Sequence, residues 1–112
     1  MLVEIRDYHY QPQELANYRQ WACDHAVPYL KQQFDLVGFW IDSGVAPEVL
    51  GEPLDLLGPA NITWIIQWQN MDERNERMQA VFGSLEWQEI FEKLPGGFEH
   101  YLRRDARFSE AL

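Results

Sequence analysis

Cysteine is almost absent from this chain, and long apolar runs are absent altogether. The one cysteine, Cys23, cannot form a disulfide within the chain, which is usual for proteins of a reducing compartment. No stretch approaches the roughly 20 apolar residues of a membrane-spanning helix, and the N-terminal residues lack the pattern of a secretory leader. We therefore expect a cytoplasmic protein that does not bind membranes. Because Ala22 and Ala26 flank it in a helical pattern, the thiol of Cys23 is predicted to be buried.

Motifs for binding metals or phosphate groups are also missing. The three histidines, His9, His25 and His100, are not spaced in pairs, and no cysteine pair accompanies them. The chain has neither a glycine-rich phosphate loop nor a G-x-S-x-G motif. We expect no metal and no cofactor, and no motif assigns a catalytic residue.

Positive charge is scarce, since nine Lys and Arg stand against eighteen Asp and Glu and the formal net charge is −9. A field of this sign repels phosphate backbones, so we expect no nucleic acid partner. Three arginines, Arg103, Arg104 and Arg107, form the one basic cluster. We interpret them as charges on an ordinary strand and not as an anion site.

Hydrophobic and aromatic residues, in contrast, are plentiful. The 112 residues are 46% hydrophobic and include five Trp, six Phe and five Tyr. A chain of this length forms one domain, here residues 1–112, and these side chains can fill its core and leave some for an interface.

Alternating and helical patterns predict four strands and two helical regions. Strand patterns cover residues 2–10, 36–42, 61–69 and 98–108. Helical patterns cover residues 12–34, with an interruption at Pro28, and 70–94, with a break at Gly83 and Ser84. The order β, α, β, β, α, β predicts an α+β, ferredoxin-like fold with one antiparallel sheet and both helices on one face.

Such a sheet has a second face without helices, which we call the open face. Large side chains there need cover, and a second copy of the chain is the simplest partner, so we expect a homodimer. The connection Ser43–Ala60 is long and rich in leucine and valine. We expect this loop to pack on the cavity opening of its own barrel or on the partner subunit.

Several short segments resemble the NIPSNAP family. They are the opening strand EIRDYHY with Glu4, Arg6 and Tyr8, the run LVGFW at Leu36–Trp40, the aromatic third strand ending in Trp68, and SLEWQ around Trp87. Together these segments extend over most of the chain, although the Ser43–Ala60 connection is longer than is usual for the family. The resemblance implies a dimeric α/β barrel with a central cavity. It implies no particular reaction, because related barrels include monooxygenases, isomerases, dehydratases and haem proteins.

Alternation along the strands then gives candidate ligand-pocket residues on the open face. Arg6 and Arg103 could bind a carboxylate, and Tyr8 could donate to a carbonyl or enolate oxygen. A desolvated Glu4 with a raised pKa could act as a general base. The full set is Glu4, Arg6, Tyr8, Trp40, Thr63, Gln67, Tyr101 and Arg103. In the alternative interpretation, Glu4 pairs with Arg6, and Arg103 with Asp105, within a dimer interface.

These features favour a NIPSNAP-like homodimer that binds a small aromatic or carboxylated organic molecule in a barrel cavity. One alternative is a cofactor-independent monooxygenase or isomerase that uses Glu4, Arg6, Tyr8 and Arg103; a raised pKa of Glu4 would favour it. The other alternative is a structural dimer without a ligand, in which the Ser43–Ala60 loop holds a partner.

Overall fold

The computed structural model describes all residues, 1–112, and confirms the predicted order of elements. Four antiparallel strands form one sheet in the spatial order β2-β3-β1-β4. None of the helices has the length and apolar content needed to span a bilayer. The strands are β1 (Leu2–Tyr10), β2 (Leu36–Ile41), β3 (Ile62–Trp68) and β4 (Tyr101–Glu110), and the helices are α1 (Leu15–Trp21), α2 (Val27–Gln33), α3 (Met71–Phe82) and α4 (Leu85–Glu92).

The two central strands, β1 and β3, pair in register from Leu2 opposite Trp68 to Tyr8 opposite Ile62. Burial alternates strictly along β3, because every second side chain points to the helices and the others point to the open face. The same alternation puts the even-numbered residues of β1 on the helix side. The core therefore lies between the sheet and its helices.

The first helical region is interrupted where Pro28 was expected to disturb it. A single π-helical segment, Ala22–Ala26, separates α1 from α2, and Pro28 lies in the first turn of α2. Proline has no backbone N–H, so the preceding turn cannot close its usual hydrogen bond and widens by one residue. The first helical region therefore remains continuous, but the side of the helix that faces the sheet differs before and after the π-helical segment.

The second helical region consists of two helices, α3 and α4, and each begins at a side-chain cap. The Asn70 side chain accepts a hydrogen bond from the Glu73 backbone at 2.9 Å, and the Glu73 carboxylate accepts one from the Gln69 backbone at 2.7 Å. The two hydrogen bonds together resemble a capping box, although Glu73 accepts from Gln69 and not from the N-cap residue Asn70. Ser84 caps α4 in the same way through the backbone N–H of Trp87.

The Ser43–Ala60 loop contains no helix or strand. It is fastened to the open face near its end, where both Asp55 carboxylate oxygens accept hydrogen bonds from Arg103 at 2.7 and 2.8 Å. His9 lies 3.0 Å from the Pro59 carbonyl oxygen and adds a second attachment. The chain itself leaves the leucines of this loop uncovered, and Leu50 is 96% exposed.

The prediction of a buried Cys23 thiol is wrong, because Cys23 is exposed. Its neighbours Ala22 and Ala26 are buried in the core, as the pattern indicated. Cys23 follows Ala22 directly, so it points to a different side of the helix axis, toward solvent.

Candidate functional site

A cavity of about 260 Å³ lies between the sheet and the helices. Twelve of its fourteen lining residues are hydrophobic, and aromatic rings form most of the wall. The lining residues are Arg6, Tyr8, Tyr18, Trp21, Ala26, Leu30, Phe39, Trp64, Phe82, Trp87, Phe91, Phe98, Tyr101 and Arg104.

The wall on the helix side depends on the π-helical segment. The extra residue there lets Trp21, Ala26 and Leu30 all face the cavity, although they span more than two turns of the first helical region. The indole N–H of Trp21 donates to the Ile90 carbonyl oxygen at 2.7 Å, which ties this wall to α4.

The wall on the sheet side is built around Trp64 on β3. Its ring stacks on Phe39, with ring centres 5.9 Å apart, and the guanidinium carbon of Arg6 lies 5.2 Å from its centre. The indole N–H of Trp64 is buried without a hydrogen-bond partner. Ring packing rather than hydrogen bonding therefore positions Trp64.

The polar groups of the cavity are mainly hydrogen-bond donors. They are the guanidinium groups of Arg6 and Arg104 and the hydroxyls of Tyr8, Tyr18 and Tyr101. Burial, the largest effect, raises the pKa of Tyr18 and of Tyr101, so these phenols stay protonated at neutral pH. No Asp, Glu or His lines the cavity. The site therefore favours a ligand that brings acceptor oxygens.

Behind the cavity, Glu4 lies at the centre of a buried ionic cluster. Its carboxylate is fully buried and accepts hydrogen bonds from Arg6 at 2.6 Å, from Arg74 of α3 at 3.0 and 3.1 Å, and from the Trp68 indole at 3.0 Å. The cluster ties β1, β3 and α3 together.

The pKa of Glu4 lies below its ordinary value. Burial is the largest single influence and acts to raise it, but the hydrogen bonds and charges of Arg74 and Arg6 together outweigh burial. Glu4 is therefore ionised at neutral pH and fully engaged with its partners. The hypothesis that Glu4 is a general base with a raised pKa is not supported.

Arg6 connects this cluster to the cavity. Its NH1 group donates to Glu4, and its Nε donates to the Tyr8 hydroxyl oxygen at 2.7 Å. The guanidinium group is thus held from two sides.

Arg104 lies at the opening of the cavity, next to Phe98. Both side chains are exposed, and the guanidinium carbon of Arg104 lies 4.7 Å from the Phe98 ring centre and 5.2 Å from that of Tyr101. No carboxylate lies within ion-pair distance of Arg104, in contrast to Arg103 and Arg107. Its charge is available to an anion that enters the cavity.

The eight predicted pocket residues divide between the two faces of the sheet. Placement on the open face is correct for Trp40, Thr63, Gln67 and Arg103 and wrong for Glu4, Arg6, Tyr8 and Tyr101. Glu4 and Arg6 lie on the helix side, where Arg74 compensates the Glu4 carboxylate.

Tyr101 and Arg103 lie on opposite faces because β4 contains a bulge. Arg103 pairs with His9 and Tyr101 pairs with Tyr10, so Leu102 is an extra residue on β4. One inserted residue reverses the alternation and sends the two side chains to opposite faces.

Ion pairs and hydrogen bonds engage the polar residues of the open face. The Thr63 hydroxyl donates to Asp7 at 2.6 Å, and Arg107 also pairs with Asp7. Arg103 Nε lies 3.5 Å from an Asp105 oxygen, at the limit of an ion pair. The alternative interpretation expected two ion pairs within a dimer interface. The pair Glu4 and Arg6 is short but lies on the helix side of the sheet, and the pair Arg103 and Asp105 is loose.

Several cavity residues were not predicted. Arg104 belongs to the arginine cluster that we interpreted as ordinary strand charges, and Tyr18 and Phe91 lie in the two predicted helical regions, where no pocket residue was expected. The sequence feature that could have indicated cavity residues on the helix side is the high aromatic content of both helical regions, which exceeds what one small core requires.

No protein-family model and no curated protein sequence matches this chain. Solved structures of NIPSNAP proteins have its fold. A NIPSNAP family protein of unknown function from Agrobacterium tumefaciens is 20% identical, with a TM-score of 0.73 over 97% of this chain and 86% of that chain. A NIPSNAP-like domain protein from Burkholderia xenovorans is 17% identical, with a TM-score of 0.75 over 99% and 84%. The predicted NIPSNAP-like, ferredoxin-like fold is confirmed.

Two more distant structures share the fold. A putative antibiotic biosynthesis monooxygenase from Bordetella bronchiseptica is 14% identical, with a TM-score of 0.60 over 99% of this chain and 96% of that chain. A dimeric ferredoxin-like protein of unknown function from Thermobifida fusca is 10% identical, with a TM-score of 0.55 over 98% and 90%.

Proposed function

We propose that this chain is a NIPSNAP-like protein that binds a small aromatic carboxylate in the cavity between its sheet and its helices, and that it works as a homodimer. The observation that carries the proposal is the composition of the cavity wall, which combines aromatic rings with donors and lacks carboxylates. The cavity belongs to each protomer separately, so a homodimer has two such sites.

The size and wall of the cavity support a single substituted ring. An apolar cavity of about 150 Å³ accepts benzene, so about 260 Å³ leaves room for one ring and its substituents. Edges and faces of Trp64, Trp87 and Phe91 are available for contacts with such a ring.

The charge distribution supports an anionic ligand. The chain as a whole is strongly acidic, yet the cavity has two arginines and no acidic residue in its lining. Arg6 is already paired with Glu4, whereas Arg104 has no carboxylate partner. Arg104 is therefore the group that we assign to the ligand's carboxylate.

The homodimer rests on the open face of the sheet. Trp40 is 49% exposed there, on the same face as the partly buried Ile5 and Ile65. Such an apolar surface favours association through a two-fold axis. The dimeric ferredoxin-like protein of the same fold supports this arrangement.

Oxygenation of the bound molecule is the second candidate function. It is favoured by the fold shared with a putative monooxygenase and by a cavity that brings an aromatic molecule into a largely apolar site. Isomerisation is less well supported, because proton abstraction needs a base and no Asp, Glu or His lines the cavity.

Calorimetric titration with benzoate tests the proposed function. The Arg104→Gln variant should bind benzoate about fivefold more weakly than the unmodified protein, as expected for losing roughly 1 kcal/mol from one partly exposed ion pair. Arg19→Gln is the matched control, since Arg19 is also exposed but lies outside the cavity. It should bind benzoate as the unmodified protein does.

Two results would count against the proposal. Failure of the unmodified protein to bind benzoate and other single-ring carboxylates would favour a structural dimer without a ligand. Equal weakening by both substitutions would show that overall charge, and not the cavity opening, controls binding.

A further inference from the structure

We propose that Tyr8 is the donor that recognises an anionic oxygen on the ring of the ligand, and that Glu4 and Arg6 position and polarise it. This inference rests on the proposed function and narrows the ligand class. The ligand would be a ring that carries a phenolate or enolate oxygen at the end nearest Tyr8. The three side chains form a continuous chain of hydrogen bonds from the buried cluster to the cavity wall.

The hydrogen bond between Arg6 and Tyr8 has only one possible direction. A guanidinium group can only donate, so the Tyr8 hydroxyl oxygen accepts from Arg6 Nε at 2.7 Å. The hydroxyl proton must then point elsewhere, and no protein acceptor lies within hydrogen-bonding distance of it. Tyr8 lines the cavity, so an oxygen of the ligand is the partner that can accept this proton.

The geometry of Tyr8 is fixed before any ligand binds. Its ring packs edge-on against Tyr101 and Trp64, with ring centres 5.5 and 6.4 Å apart. Arg6 is fixed in turn by Glu4, which is held by Arg74 and Trp68. A donor held in this way loses little conformational freedom when it binds the ligand.

The local charge favours an anionic oxygen over a neutral one. One carboxylate, Glu4, faces two guanidinium groups, those of Arg6 and Arg74, so the cluster carries a net positive charge. No acidic residue lines the cavity to cancel it. A hydrogen bond that accepts from Arg6 also makes the Tyr8 hydroxyl a stronger donor to the next acceptor.

Roles follow from these contacts. Tyr8 would contact the ligand directly, whereas Glu4 and Arg6 would act through Tyr8 as positioning residues. Arg104 would hold a carboxylate at the opening of the cavity, next to Phe98.

The test uses 4-nitrophenol, a phenol that titrates near neutral pH and changes its absorbance when it ionises. Its affinity is measured on the acidic and on the alkaline side of its own titration. The unmodified protein should bind the phenolate about tenfold more tightly than the phenol, which lowers the apparent pKa of the bound ligand by about one unit. In Tyr8→Phe this preference should fall below about twofold.

Tyr29→Phe is the matched control, because the Tyr29 hydroxyl lies near Ser84 and Glu86 and outside the cavity. It should retain the tenfold preference. Arg6→Lys is a second variant, which keeps the positive charge but loses the fork that contacts Glu4 and Tyr8 together. Arg6→Lys should show a reduced preference for the phenolate over the phenol. If circular dichroism shows that Tyr8→Phe does not fold, the Arg6→Lys result alone tests the role of Tyr8.

Three outcomes would overturn the inference. The first is an unmodified protein that binds phenol and phenolate equally well. The second is a folded Tyr8→Phe variant that keeps the tenfold preference or binds neither form. The third is an unmodified protein that binds neither 4-nitrophenol nor benzoate, which would overturn the proposed function as well.

Discussion

Glu4→Gln should test most directly how much the buried ionic cluster stabilises the fold, because it removes one charge and almost no volume. The fully buried carboxylate accepts three hydrogen bonds from two arginines and one from Trp68. A glutamine would present its NH2 group to a guanidinium donor and leave Arg6 and Arg74 without a counter-charge. Removing one partner of a buried ion pair costs about 3–5 kcal/mol, and the retained shape puts this change near 3 kcal/mol.

The effect should depend on pH in a defined direction. The pKa of Glu4 is lowered in the folded protein, so its stabilising contribution is complete above its unfolded value, near 4.5, and is lost as the pH falls through the folded pKa. The difference in the free energy of unfolding between the two proteins should therefore be full at neutral pH. It should shrink at pH values below the unfolded pKa.

Urea unfolding followed by tryptophan fluorescence, at one fixed protein concentration, measures this difference. Glu76→Gln is the control, since Glu76 is exposed on α3 and makes no ion pair or side-chain hydrogen bond. It should change the free energy of unfolding by less than about 0.5 kcal/mol. A loss below about 1 kcal/mol for Glu4→Gln, or a loss that stays constant into acid, would refute the account of the cluster.

Two further predictions concern the open face and the β4 connection. Trp40→Glu should turn the proposed dimer into a monomer, whereas Leu85→Glu, at an equally apolar exposed site on α4, should leave its mass by light scattering unchanged. An unmodified protein that is monomeric at micromolar concentration would contradict the dimer. Gly96→Ala should lower the free energy of unfolding by more than Gly58→Ala does, because both glycines have positive φ but a Cβ on Gly96 would lie 2.2 Å from the His100 ring. Equal losses in urea unfolding would show that only backbone strain matters.

The order and approximate bounds of the elements were predictable from the sequence because each one has a local signal. A dense run of β-branched and aromatic residues identifies β3, Asn70 caps α3, and Pro28 marks the interruption of the first helical region. These signals depend on residues within one or two turns of each other. They need no knowledge of the tertiary contacts.

The side of the sheet that holds the site was not predictable in the same way. Alternation separates the residues of β1 into two sets but does not say which set faces the helices. Charged residues such as Glu4 and Arg6 suggested the uncovered side. Their compensation comes from Arg74, which is seventy positions away along the chain from Glu4.

Two single inserted residues also shape the site, and one of them explains the error at Tyr101. Leu102 is the extra residue of a bulge that reverses the alternation between Tyr101 and Arg103. The π-helical segment adds one residue to the first helical region, where Trp21, Ala26 and Leu30 line the cavity. Neither insertion has a clear sequence signature, although Pro28 indicates where the second one is needed.

The ligand site is proposed to lie between the sheet and the helices and not on the open face. The indole N–H signals of the five tryptophans in one NMR spectrum test this location most directly. Trp21, Trp64 and Trp87 line the cavity, whereas Trp40 lies on the open face. Addition of benzoate should shift the signals of these three tryptophans and leave that of Trp40 unchanged. A shift of the Trp40 signal, with the three cavity signals unchanged, would contradict the claim.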